Sequence, residues 1–221
     1  MPTEQALKKN TKTAIMDAAE IVMAEHGVDG ASIRSIVGKA GANTAAIHYH
    51  FNSREGLVEA MLRRHGGFVI LRRSEMIAEF DQTGNTPTPI DVVNILVDPR
   101  IDFLEEKGEA GRRATRFLAR LQSDRRNQPD GKGLHVHEAL KHFPQVGVQM
   151  LGLIEQACPE VSKEELQQRL TMAIDTMFQY LVNAEFMTVE WTADEQRGEM
   201  LRHTANLKTF LVGGLAAPAT K

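Results

Sequence analysis

Between Gly30 and Arg54 the chain carries no Asp or Glu, yet it holds Arg34, Lys39, His48, Tyr49, His50 and Arg54. Asp29 and Glu55 fence this window. Cations and hydrogen-bond donors without carboxylates between them can bind phosphate, because nearby anions would repel a polyanion. The chain as a whole has a net charge of −3, so any such affinity is local.

A second set, His135, Glu138 and His142, raises metal binding. On a helix the two histidines would stand roughly 10 Å apart, too far to share one ion. Glu138 with either neighbour supplies two ligands, His137 points elsewhere, and two ligands do not make a zinc site. The single cysteine, Cys158, can form neither a cluster nor an internal disulfide. No metal and no cofactor is expected. Gly-rich phosphate loops, Gly-x-Ser-x-Gly and His-Glu-x-x-His are all missing from the sequence, so no enzyme is expected either.

The elements that must position these residues read almost entirely as helix. The 221 residues, 42% apolar and 25% charged, suffice for a core without disulfides. Neither a secretory leader nor a run of about 18 apolar residues is visible, so a cytoplasmic protein with no membrane contact is expected. Ile15, Ala18, Ala19, Val22 and Met23 form one stripe, with Gly27 as its stop. Ser32 is placed to cap a short helix bearing Ile33, Ile36, Val37 and Ala40, which Gly41 breaks. Asn43 caps a third, with Ile47 and Phe51 four residues apart. Asn52 and Glu55 resemble a capping box opening a fourth, followed by Leu57, Met61, Phe68 and Leu71. Thr88 and Pro89 suit a cap and first position, and Pro99 should end or kink that helix. Ala114, Phe117, Leu118 and Leu121 mark another helix. The polar run 123–133 reads as a loop, and helix resumes over 134–157 with Pro144 inside. Ser162 with Glu165 and Thr192 with Glu195 open two long helices, about 163–187 and 193–212, and the end from Gly213 should fray.

Residues 32–51 thus form helix, tight turn, helix, the layout of a helix-turn-helix whose second helix enters a DNA major groove. The segment Gly41-Ala-Asn-Thr-Ala-Ala-Ile-His-Tyr-His-Phe-Asn-Ser-Arg-Glu-Gly-Leu57 resembles the recognition segment of the TetR family of bacterial transcription regulators. The likeness covers about residues 11–65. Ala42 replaces the usual Val, His48 the commoner aromatic, Arg54 the usual Lys, and Val37 a usual Ala. Tyr49 and His50, ending the recognition helix, are expected to donate to phosphates. Arg54, beside free N–H groups of a helix start, should do the same. Arg34 is expected on a phosphate or a guanine edge, Lys12 on the backbone, and Thr44, Ala45 and His48 on bases, His48 as donor to a purine N7. Ser32 and Asn43 complete the expected DNA-facing set.

So few contacts would hold one half-site weakly, which implies a homodimer on a near-palindromic double-stranded operator. Leu166, Leu170, Ala173, Met177, Leu181 and Ala184 form one stripe of the penultimate helix, and Ile174, Phe178 and Val182 a second. Apolar on two faces, it should meet a core and a partner, so the last two long helices are the expected dimer contact. Phe68, Leu71, Phe103, Phe117, Leu121, Met150 and Phe178, with Leu118, Phe143 and Met177, suit an adaptable apolar pocket, and Arg116, Arg120, Gln179 and Asn183 its polar fixtures. The Phe-Leu-x-Arg-Leu run at 117–121 and the Ile-His-Tyr-His-Phe variant are similar to family members that answer fatty acids or acyl thioesters. The expectation is an all-α chain. Residues 1–55 are a three-helix DNA-binding domain, and 56–221 a helical effector-binding and dimerisation domain. Its function is that of a repressor released by a small apolar ligand; a metal- or redox-responsive DNA-binding sensor using the histidines or Cys158 is the alternative.

Overall fold

The computed structural model describes residues 4–126, 144–184 and 193–219. Among them are eight helices and no strand: α1 (Glu4–Gly30), α2 (Ile33–Lys39), α3 (Thr44–Phe51), α4 (Arg54–Thr83), α5 (Pro89–Arg126), α6 (Pro144–Ala157), α7 (Lys163–Asn183) and α8 (Ala193–Leu215). The all-α expectation holds. The described residues form two compact units, one of 4–66 and 113–126, the other of 67–112, 144–184 and 193–219.

The first unit is built on the α1 stripe. Ile15, Ala18, Ala19, Val22 and Met23 are all buried, with Ile36 and Val37 of α2, Ile47 and Phe51 of α3, and Leu57 and Met61 of α4. Gly27 interrupts α1 with φ 75°, as a stop should. The Ser32 side chain accepts from Ser35 N and that of Asn43 from Ala46 N, so both expected caps form. Gly41 makes the turn between α2 and α3 with φ +63°, a left-handed conformation that costs glycine nothing. Polar contacts of the buried Glu20 tie α1 to two other helices: Glu20 Oε2 lies 2.8 Å from His65 Nε2 of α4, and Glu20 Oε1 3.8 Å from Arg113 Nε of α5. The His65 ring lies 6.3 Å from that of Phe117.

The expected box at Asn52 and Glu55 is displaced by one residue. Asn52 ends α3 at φ 66°, its N–H donating to His48 O. Ser53 is the cap of α4, its Oγ accepting from Gly56 N at 3.1 Å. The corner is too tight for a side chain at position 56, where a Cβ would stand 2.0 Å from Phe51 O.

The second unit holds the other half of α4, α5 as far as Arg112, and α6 to α8. Thr88 caps α5, and Asp91 reaches back to accept from Thr88 N. Pro99 neither ends nor breaks that helix. Its missing N–H leaves Ile95 O without a donor, and its ring disturbs the neighbouring bond. Arg73 of α4 supplies both, donating from Nε to Ile95 O at 3.1 Å and from Nη2 to Leu96 O at 2.9 Å. The break comes instead at Gly108, with φ 53° and ψ −126°, and the helix then runs on to Arg126, into the stretch expected to be a loop. Pro144 is the first described residue of α6, and the part of the expected helix before it, 134–143, lies outside the described residues. Ser162 caps α7 as expected, while Thr192, Phe143 and the set His135, Glu138 and His142 lie outside the described residues. The chain after Gly213 is held, not frayed: α8 reaches Leu215, and the buried Arg169 donates to the carbonyls of Leu215, Ala217 and Pro218.

Gly66 and Gly67 sit inside continuous α4, at the point where the two units divide. A Cβ at either position meets nothing within 4 Å, so close packing does not require them. Replacing both by Ala should raise stability by about 1–2 kcal/mol, measured by chemical denaturation. For Arg73→Met we expect a loss of about 2 kcal/mol, because two carbonyls lose their donor. Adding Pro99→Ala should return part of that loss by restoring a backbone N–H, and a strictly additive double mutant would show that Arg73 does not serve the proline.

Candidate nucleic-acid interface and effector site

The α2–α3 pair presents one polar face. Thr44, Ala45, His48 and Tyr49 recur at helical spacing along α3 and are exposed, Tyr49 to 66%, while Ile47 and Phe51 fill the opposite, buried face. Arg34 and Lys39 of α2 are exposed as well. His50 is half-buried, its ring 4.9 Å from Tyr49 and 6.1 Å from Phe51. Lys12 is exposed, and its ammonium lies 5.7 Å from the centroid of the Phe51 ring at the end of α3, a cation–π contact. Ser32 and Asn43 use their side-chain acceptors on the caps.

Two residues sit differently from what their types alone imply. Arg54 Nη2 donates to Val28 O, and to Ala31 O at 3.2 Å, with Asp29 at 3.9 Å from Nη1. Its guanidinium closes the corner between α1 and α2, holding the start of α4 against it. His48 Nδ1 lies 3.0 Å from Asn52 O. A carbonyl only accepts, so Nδ1 carries the hydrogen, and in the neutral ring Nε2 is then an acceptor. It can take a hydrogen from an adenine N6 or cytosine N4 amine rather than give one to a purine N7.

The residues expected to line a pocket fall into both units. Phe117, Leu121 and Arg120 belong to the first, with Phe117 and Leu121 buried and Arg120 exposed. Arg116 is half-buried there. Phe68, Leu71, Phe103, Met150 and Phe178 belong to the second. There the structure brings three of them together around a residue the sequence did not single out. Phe68 and Phe103 rings lie 5.6 Å apart, and the Arg100 guanidinium lies 5.4 Å from the Phe103 centroid and 5.0 Å from that of Phe178. Met150 is buried, but Leu71 is 64% exposed, and Asn183 donates to Gln179 O on its own helix. No local signal flagged Arg100, which stands between Pro99 and Ile101 with Asp98 and Asp102 two residues to either side.

A separate cavity of about 390 Å³ lies beside the Gly108 break, lined by Leu104, Glu105, Arg112, Gln196, Arg197 and Met200. Arg197 and Glu105 pair across it at 3.5 Å. Cys158 is buried, its thiol donating to Leu215 O, and burial pushes its pKa up, away from the reactive thiolate. Among the described residues no three His, Cys, Asp or Glu side chains gather as metal ligands, and no helix is long and apolar enough to cross a membrane.

Comparison with known proteins places this architecture. Residues 15–61 match the family model for bacterial regulatory proteins of the tetR family, and 94–214 match that for the tetracyclin repressor-like C-terminal domain. The HTH-type transcriptional repressor KstR2 of Rhodococcus jostii is 32% identical over 56 residues, 25% of this chain and 28% of that protein. The HTH-type transcriptional repressor AcnR of Corynebacterium glutamicum is 31% identical over 70 residues, 32% of this chain and 35% of that protein. The chain therefore spans about a third of the length of these curated relatives. The fatty acid degradation regulator FadR of Bacillus halodurans shares the fold, with a TM-score of 0.58 and 21% identity over 92% of this chain and 95% of that one. With a helix-turn-helix at one end and the matched C-terminal domain covering more than half its length, the chain belongs to the TetR family of bacterial regulatory proteins.

Proposed function

We propose that the chain is a ligand-responsive transcriptional repressor that binds a near-palindromic operator as a homodimer. The observation that carries this is the acid-free face of α2 and α3, where Arg34, Lys39, Thr44, Ala45, His48 and Tyr49 are all exposed on capped helices. Residues 1–55 act on DNA, and 56–221 bind the effector and the second subunit. Met172 of α7 and Phe210 of α8 support a partner there, since each exposes more than half of a large apolar side chain. The effector is a small, largely apolar molecule that favours the off-DNA state. The buried thiol of Cys158 gives no support to a redox sensor.

In this reading Thr44, Ala45 and His48 meet bases, Tyr49, His50, Arg34 and Lys12 meet backbone, and Arg54 positions α4 against α1 and α2. Selection from random duplex DNA should return an inverted repeat; recovery of no consensus would end the repressor reading. Tyr49→Phe should weaken all sequences alike, and Arg34→Ala should reduce the salt slope of binding by about one. Arg54→Ala is expected to leave that slope unchanged but to lower stability by about 1–3 kcal/mol, through the carbonyls of Val28 and Ala31.

His48→Ala should relax the consensus at a position where adenine or cytosine presents an amine to the groove, at a cost of about 1–3 kcal/mol there. An identical consensus from wild type and His48→Ala would remove His48 from base reading.

A further inference from the structure

Arg100 of α5 is 4% exposed, and its buried Nε and Nη1 have no hydrogen-bond partner. The acids two residues to either side are taken by other helices: Asp98 pairs with Lys208, and Asp102 with Arg72 at 3.2 Å. Burial, and after it the charge of the neighbouring cation Arg73, brings the pKa of Arg100 down to about 9. Arg73 itself, brought to about 10 by burial, spends its N–H groups on Ile95 and Leu96 carbonyls. A buried ion without a counter-charge costs several kcal/mol. The Phe103 and Phe178 rings offset part of this, but cation–π contact leaves the N–H groups unused.

We propose that Arg100 anchors the effector, and that the effector is an apolar chain ending in a carboxylate: the head sits on Arg100 Nε and Nη1, and the chain packs against Phe68, Phe103 and Phe178. This rests on the effector-responsive reading above and narrows its ligand to an amphiphilic monoanion. Charge sets the preference, since the aromatic rings alone would take an alcohol as readily as an acid. The carboxylate supplies the missing counter-charge and an acceptor for donors that are otherwise empty.

The test is calorimetric titration of the full chain with straight-chain carboxylates of C8 to C16 and the matching primary alcohols. The wild type should bind at least one carboxylate tenfold or more tighter than its alcohol. Arg100→Met should lose that preference while melting at the same or a higher temperature and still binding the selected operator. Arg100→Lys, which keeps a cation, should keep part of the preference. Equal binding of acids and alcohols by the wild type would overturn the proposal, as would a preference that survives in Arg100→Met. So would a wild type that binds its operator but no carboxylate. If carboxylates bind as expected and no operator is found, the anion site stands and the repressor reading falls.

Discussion

Carbonyl groups at helix ends and breaks decide where three arginines of this chain go. With no strand among the described residues, every element ends in open acceptors, and burying one without a donor costs about as much as losing a hydrogen bond. Three arginines serve as donors in place of backbone N–H groups. Arg54 serves Val28 and Ala31 where α1 gives way to α2, Arg73 serves the pair opened by Pro99, and Arg169 serves the carbonyls that end α8. Each also ties its own helix to another part of the chain, so one interaction satisfies polar atoms and fixes packing. Arg100 departs from the pattern, buried like Arg169 but with no carbonyl on its Nε and Nη1.

Local signals in the sequence were reliable where the partner lies within one turn. Ser32, Asn43, Thr88 and Ser162 all sit at helix starts, because a cap needs only the N–H groups two or three residues on. The Asn52 box failed by one residue because the chain turns a corner there: Asn52 is consumed in ending α3, leaving Ser53 to start α4. That Pro99 does not end its helix has a different reason. Whether proline breaks a helix depends on a donor for the released carbonyls, and that donor lies 26 residues earlier, on another helix. Gly108, in a charged stretch without a period, carried the actual break.

The same distinction governs the candidate sites. The outward face of α3 was legible because period alone separates Thr44, Ala45, His48 and Tyr49 from Ile47 and Phe51. What the side chains do was less legible. The tautomer of His48 is set by Asn52 O, and the engagement of Arg54 by carbonyls more than twenty residues away. In the body, composition identified Phe68, Phe103 and Phe178 but not the arginine among them, because no sequence pattern marks a buried cation without a partner.

The Gly66-Gly67 step has a consequence for how α4 opens. Two adjacent residues with the weakest hold on helical geometry, and no side chains to shield their amides, make the cheapest place in this 30-residue helix to lose a turn transiently. Their amide hydrogens, and those bonded back to them one turn later, should therefore exchange with solvent sooner than those around Leu57 and Met61, which are fully buried. α4 is continuous, and its two adjacent glycines stand where the two units divide.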